Sequence, residues 1–238
     1  PNACKNNQTL GVQRQGGMAQ QLTMPAHKVI VCNALSVDEL ALVEPLAVGL
    51  HAARRAQINV GEWVAVIGCG VIGLGAIAAA SAMGARVIAI DIDDRKRNIA
   101  LECGAQRFLN SQQCDVAAEL VLLNDGRGPE VVIEAVGNQQ TIEQATGLVA
   151  FSGRVVYVGY AKQPVSYQSA QFLMKELDIR GSRNATVADF RAVLALMESG
   201  RYPVSNLVSA HYPLEQADHA FSDWASDPGA YTKILIDL

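Results

Sequence analysis

Two features carry the clearest chemistry in this sequence, the run Gly68-Cys69-Gly70-Val71-Ile72-Gly73 and the carboxylate of Asp91. The run has the spacing G-x-G-x-x-G. It directly follows the apolar stretch 63–67 and opens an alanine-rich segment. In that setting the first glycine permits a tight strand-to-helix turn. The second lets a pyrophosphate approach the backbone, and the third lets helix and strand pack closely. The helix start beyond the turn, with Ile72 in its first turn, offers free N–H groups and a partial positive charge to the anion. Asp91 stands 18 residues after Gly73, at the tip of a second apolar run. There it can accept hydrogen bonds from both hydroxyls of an adenosine ribose, and it would repel a 2′-phosphate, which favours NAD over NADP. The basic run Arg95-Lys96-Arg97 pulls the other way, although it also reads as a solvated helix start with Lys96 near the adenosine. A methyltransferase is the competing reading. Its turn is usually preceded by an acidic residue, whereas Val66 and Ile67 stand here.

These residues need a scaffold that brings strand ends together. Apolar β-type runs fall at 63–67, 87–90, 131–135 and 154–158, with a weaker candidate at 107–109. Helical patterns fall between them at 71–83, 95–103, 115–123 and 139–150. The first strands are apolar on both faces, as strands covered by helices on both sides must be. The alternation predicts an α/β fold with a doubly wound parallel sheet. Upstream, residues 1 to about 43 read as irregular, and Leu42, Leu46, Leu50 and Ala53 mark a helix over 40–56 with Pro45 in its first turn. Downstream, Thr186 and Asp189 form a capping box for a helix reaching Met197, which Gly200 ends. Pro203 and Pro213 punctuate the segment beyond Gly200, and the chain closes with a helix over 214–224 and a strand over 233–238.

Composition excludes other classes. The chain has 238 residues, 50% hydrophobic and 18% charged, with a net charge of -4. It is long enough to bury a core without disulfides. Its charge argues against binding nucleic acid or an anionic membrane, and 5% aromatics supply no stacking platform. Five widely spaced cysteines with no CxxC suit a reducing cytoplasm. The uncharged stretch 63–85 is long enough to span a bilayer, but five glycines and its strand–turn–helix grammar argue against it. The chain begins at Pro1 without a signal segment and reads as a processed or truncated product.

Longer motifs add a resemblance. Glu44-Pro45-Leu46-Ala47-Val48-Gly49-Leu50-His51-Ala52, followed by the glycine turn, resembles the zinc-dependent medium-chain dehydrogenases. The match is nearest in the polyol and sugar-acid branch (sorbitol, threonine, L-idonate and L-galactonate types). Residues 153–159, 175–184 and 231–236 match as well, so the likeness covers nearly the whole chain. It implies a Rossmann domain over 44–184, a remnant of a GroES-like catalytic domain over 1–43, and a C-terminal segment over 185–238 returning to that domain. It also implies zinc polarising a substrate hydroxyl while hydride passes to NAD. Glu44 then matches a catalytic position that ligates zinc or orders its water. Cys4 matches the fourth ligand of a structural zinc loop. Val48, Val158, Gly159, Tyr160, Ser182, Arg183 and Asn184 fall at the nicotinamide, with Arg183 and Asn184 also able to reach substrate. Lys233 aligns with a base near the pyrophosphate, and it also reads as a surface lysine. His51, two helical turns after Glu44, reads as packed rather than ligating.

The sequence also departs from that family. Its catalytic Cys-Gly-Ser/Thr-Asp and Gly-His-Glu motifs are absent, and Gln20-Gln21 replaces the usual Glu-Tyr. The expectation is therefore a C-terminal fragment that binds little or no zinc and turns over negligibly. The chain is expected to form a homodimer, paired through the sheet edge, and its intact parent to act on a polyol or sugar acid. The alternatives are a non-catalytic NAD-binding module and a zinc-independent NADPH reductase of the same superfamily.

Overall fold

The structure is a computed structural model and describes every residue except Pro1, Leu123, Pro203 and Ser205. The chain start, the last residue of the helix expected over 115–123 and the break expected at Pro203 lie outside the described residues. Six strands form one parallel sheet: β1 (Trp63–Ile67), β2 (Arg86–Asp91), β3 (Ala105–Asn110), β4 (Val131–Glu134), β5 (Arg154–Tyr157) and β6 (Asp178–Gly181). Their order is β3-β2-β1-β4-β5-β6. This is the doubly wound arrangement, and the direction of winding reverses between β1 and β4.

The central strands β1, β2 and β4 are apolar on both faces because helices cover both. Val64, Val66, Val87, Ala89, Val131 and Ile133 join one buried cluster with α1 (Val37–Ala56) and α2 (Val71–Ala82). Ala65, Ile67, Ile88, Ile90 and Val132 point the other way. They pack with Leu120 and Ala145, from α4 (Val116–Leu122) and α5 (Gln139–Leu148). The period of two along each strand therefore divides the core into two layers. A short α3 (Arg97–Glu102) connects β2 to β3, and α6 (Ala170–Met174) precedes β6.

The contact of α1 with α2 is made by backbone. A side chain at Gly49 would collide with the Ile72 carbonyl oxygen, and a Cβ at Gly75 would stand 3.1 Å from Leu46 Cα. Leu42, Leu46 and Leu50 fill the seam on either side.

The start of α1 corrects the expectation for Pro45. The helix begins at Val37 under a capping box in which the Ser36 hydroxyl accepts from Glu39 N–H and Glu39 accepts from Ser36 N–H. Pro45 is thus an interior residue, not a first-turn one. It is buried against the core, and its ring withholds one N–H from the helix ladder. The capping box at Thr186 and Asp189 does open α7 (Val187–Glu198). The expected helix over 214–224 is a 3-10 turn running into α8 (Ala217–Ser226). The final strand β8 (Lys233–Asp237) pairs in parallel with β7 (Val208–Pro213), which the sequence pattern did not announce.

Candidate dinucleotide site

The parallel strands deliver their C-terminal ends to one edge, and the turn after β1 lies where the winding reverses. Gly68 has φ +94°, a left-handed backbone that a side chain would strain. Its N–H donates to the Ile90 carbonyl at 2.8 Å. A side chain at Gly73 would collide with the Gly68 carbonyl oxygen, so the third glycine is needed for helix and turn to touch. Gly70 is different. A Cβ there would meet nothing within 4 Å, so its surface faces open space at the α2 N-terminus. No side chain caps that terminus and no acid stands in its first turn. An anion can therefore reach the N–H groups at Val71, Ile72 and Gly73 without competition.

Asp91 closes the other side. Its Oδ2 accepts from Cys69 N–H at 2.6 Å and its Oδ1 from Asp93 N–H at 3.1 Å. Each oxygen keeps lone pairs for further donors. The Cys69 thiol points into the core, where burial first and the Asp91 charge second push its pKa well above the ordinary range. It is inert packing, not a nucleophile.

The three basic residues after Asp91 are engaged with the protein. Lys96 is 7% exposed, and its ammonium donates to the Tyr231 carbonyl and the Thr232 hydroxyl, both at 3.1 Å. Burial lowers its pKa, against the pull of Asp91 and Asp93. Arg97 pairs with Asp94 at 2.6 Å and lies over the Phe108 ring. Arg95 bonds both Asp93 and Asp227. Lys233 starts β8 and shares a cavity of about 290 Å³ with Val71, Trp224 and Thr232, which brings this base beside the α2 N-terminus.

The loops after β4 and β5 meet beside the glycine turn. Side chains at Gly137 or Gly159 would collide with the other loop's backbone, which sets Val158, Gly159 and Tyr160 against residues 134–137. Tyr160 is exposed and Val158 half-buried. Glu134, which sequence reading did not single out, organises this junction. It is fully buried, and one carboxylate oxygen accepts from Val136 N–H, Gly137 N–H and the Thr141 hydroxyl at 2.8–2.9 Å. The signal was available: an acid closing an otherwise apolar strand.

After β6, Ser182 N–H donates to the Tyr157 carbonyl at 2.8 Å. Arg183 and Asn184 hold the beginning of the chain. Asn2 donates to the Arg183 carbonyl at 2.8 Å, and Asn184 donates to the Asn2 carbonyl at 3.0 Å. Asn2 also lies 2.9 Å from His51 Nε2, while His51 Nδ1 lies 2.9 Å from Asp189 Oδ2. Asp189 is 1% exposed and additionally accepts from Arg54 at 2.7 Å. Burial raises its pKa, but bonds from Thr186 and Arg54 and the proximity of His51 hold it lowered overall. His51 is thus held by Asp189 of α7 and Asn2 of the chain start, a pairing that was not expected. No sequence spacing could have joined it to Asp189.

Glu44 and Val48 lie one turn apart on α1, Glu44 exposed and Val48 half-buried. Cys4 is exposed and unpaired. Among the described residues no three His, Cys, Asp or Glu side chains converge on a metal. The donors present do not by themselves fit a zinc site, whereas the glycine turn and Asp91 fit a dinucleotide.

Known proteins share this fold. Residues 71–199 match the profile of the zinc-binding dehydrogenases. L-galactonate-5-dehydrogenase from Escherichia coli (strain K12) is 34% identical over 89% of this chain, which spans 62% of that protein. Sorbitol dehydrogenase from Bacillus subtilis (strain 168) is 31% identical over 92% of this chain, which spans 63% of it. The chain thus covers a little over three-fifths of these curated relatives. Among solved structures, a protein described as a zinc-binding dehydrogenase from Sinorhizobium meliloti 1021, bound to NADP, superposes with a TM-score of 0.88. It is 30% identical, over 100% of this chain and 70% of that one. The fold and site define a Rossmann-type α/β protein with a dinucleotide turn. The chain belongs to the zinc-binding dehydrogenase family.

Proposed function

We propose that this chain carries the NAD-binding part of a zinc-type dehydrogenase that oxidises a secondary alcohol of a polyol or sugar acid. The observation behind the reading is the joined geometry of the glycine turn and Asp91, open at Gly70 where a pyrophosphate must approach. When bound, NAD supplies the hydride acceptor. The chain's own residues then bind and orient it. The α2 N-terminus and Lys233 take the pyrophosphate, and Asp91 takes the ribose. Val48, Val158, Gly159, Tyr160, Ser182, Arg183 and Asn184 surround the nicotinamide. The chain divides accordingly into 1–43, 44–184 and 185–238, with the outer segments belonging to the catalytic lobe.

The substrate class rests on what the relatives are named for, a sugar acid and a polyol. Glu44 is the proposed zinc-side carboxylate and Cys4 a structural zinc ligand, each needing partners beyond those the chain brings together. The polypeptide is therefore proposed to hold little zinc and to turn over negligibly, and a metal analysis finding one zinc per chain would overturn that. A homodimer is proposed through β6, the open sheet edge, where Ile179 is exposed and the preceding helix α6 exposes Leu173 and Met174. The cytoplasm is the proposed compartment, in keeping with five free cysteines. No described helix is long and apolar enough to cross a membrane. Nucleic acid and membranes are not proposed partners, given the net charge of -4.

Calorimetric titration of the 238-residue chain tests the reading. Saturable NAD binding that Asp91→Ala weakens is the expected result. No binding, or a preference for S-adenosylmethionine, overturns it.

A further inference from the structure

We infer that Asp227 sets the choice between the two nicotinamide dinucleotides by holding Arg95 in a closed ion pair. This rests on the dinucleotide reading above and extends it to a residue far along the chain. Discrimination at the end of β2 is decided by what faces the ribose 2′ position: a carboxylate selects the free hydroxyl, and a nearby arginine accommodates a phosphate. This chain has both. Arg95 lies four residues beyond Asp91, in the loop that leaves β2.

The structure shows why that arginine is not on offer. Its guanidinium makes a two-pronged contact with Asp227, Nη1 to Oδ2 at 2.8 Å and Nη2 to Oδ1 at 2.9 Å. The inner edge faces Asp93, with Nε 2.9 Å from Oδ2 and Nη2 2.7 Å from the same oxygen. Fork-on-carboxylate geometry uses the directions a phosphate would need. Lys96 is buried under Tyr231 and Thr232, and Arg97 is paired with Asp94, so neither replaces it. The loop and the tail together oppose four carboxylates, Asp91, Asp93, Asp94 and Asp227, to three cations. That leaves the neighbourhood unfavourable to a dianion.

Asp227 is the removable member. It follows α8, and its side chain is 50% exposed, as Arg95 is 55% exposed. A pair this open adds little to stability, so breaking it leaves the fold in place. The Asp227 carboxyl also takes backbone bonds from Gly229 and Ala230, an acceptor role that Asn keeps, whereas Asp93 caps Arg95 N–H at 2.9 Å and belongs to the turn that carries the arginine.

The test is titration calorimetry of NAD and NADP on the 238-residue chain and three variants, Asp227→Asn, Arg95→Gln and the double substitution. Asp227→Asn is expected to tighten NADP binding by at least about threefold while NAD stays within about twofold, the scale of an exposed charge contact. Arg95→Gln alone should leave NADP binding near wild type, because the arginine is already occupied. The double variant should lose the gain. Retained NAD binding in each variant reports an intact fold. NADP binding unchanged in Asp227→Asn overturns the inference and leaves the dinucleotide reading standing. So does a gain that survives in the double variant, or a loss of NADP binding in Arg95→Gln. A wild-type chain that binds neither dinucleotide overturns both.

Discussion

Asp91 Oδ2 accepts the Cys69 backbone N–H at 2.6 Å, so the acid proposed for the ribose also braces the turn proposed for the pyrophosphate. One carboxylate fixes the spacing between two recognition elements on adjacent strands, β1 and β2. Asp91→Asn keeps an acceptor for Cys69 but removes the charge. It is expected to weaken NAD about tenfold, the worth of a charge-assisted bond pair over neutral ones, and to weaken NADP less. Parallel titrations with both dinucleotides check this.

The three glycines separate by what each approaches. Gly70→Ala should fold normally, since its Cβ meets nothing within 4 Å, yet lose NAD affinity by about tenfold or more because the methyl occupies the pyrophosphate's approach. Gly73→Ala puts a methyl against the Gly68 carbonyl and should cost about 3 kcal/mol of stability. Urea unfolding with dinucleotide titration distinguishes the two.

Asp189 is the charged centre of a contact among α1, α7 and the chain start, through Arg54, His51, Thr186 and Asn2. Asp189→Asn should cost about 2–4 kcal/mol at pH 7, the loss of a buried charge partner. The pH dependence comes from its lowered folded pKa. The ionised group stabilises the fold above the unfolded carboxylate range, near pH 4, and that contribution is lost as pH falls through the lower folded value. The gap between wild type and variant should be present above the unfolded carboxylate range and shrink as pH falls below about 4. Denaturation curves at several pH values read it.

Glu134 has three donors converging on one oxygen in a fully buried site. Glu134→Ala strands those donors and should cost about 3 kcal/mol. Glu134→Gln keeps an acceptor there and should cost about half as much. Amide exchange at Val136 and Gly137 should quicken in the alanine variant before global unfolding does.

The open edge at β6 gives a prediction about assembly. Ile179→Lys places a charge on a half-exposed edge strand, and Leu173→Asp removes an apolar side chain that is 86% exposed. Both should favour the monomer in sedimentation equilibrium and leave thermal unfolding of the monomer little changed.

Much of the fold was legible because its rules are local. The apolar strands, the glycine turn and Asp91 are readable from period and spacing, and the doubly wound class comes from strand–helix alternation, whereas the strand order is seen only in the folded chain. Pro45 misled because proline marks helix starts, while the capping residues Ser36 and Glu39 stood earlier in the sequence and outranked it. Strand β7 was missed because Val208-Ser209-Ala210-His211-Tyr212 is half polar, and it pairs with β8 across an intervening helix. The bonds of His51 to Asp189 and of Arg95 to Asp227 span 138 and 132 residues, beyond any periodic signal. They are properties of the folded chain, and they decide which of the motif's charges remain free to act.

The bare-backbone crossing at Gly49 and Gly75 has a mechanical consequence. Helices that interlock without intervening side chains have no soft layer to shear, so α1 and α2 turn together as one lever. Glu44 rides on one arm and the uncapped amides of the α2 N-terminus on the other, and any displacement felt at one is carried to the other. Any opening and closing about a nucleotide must then take place outside this pair of helices.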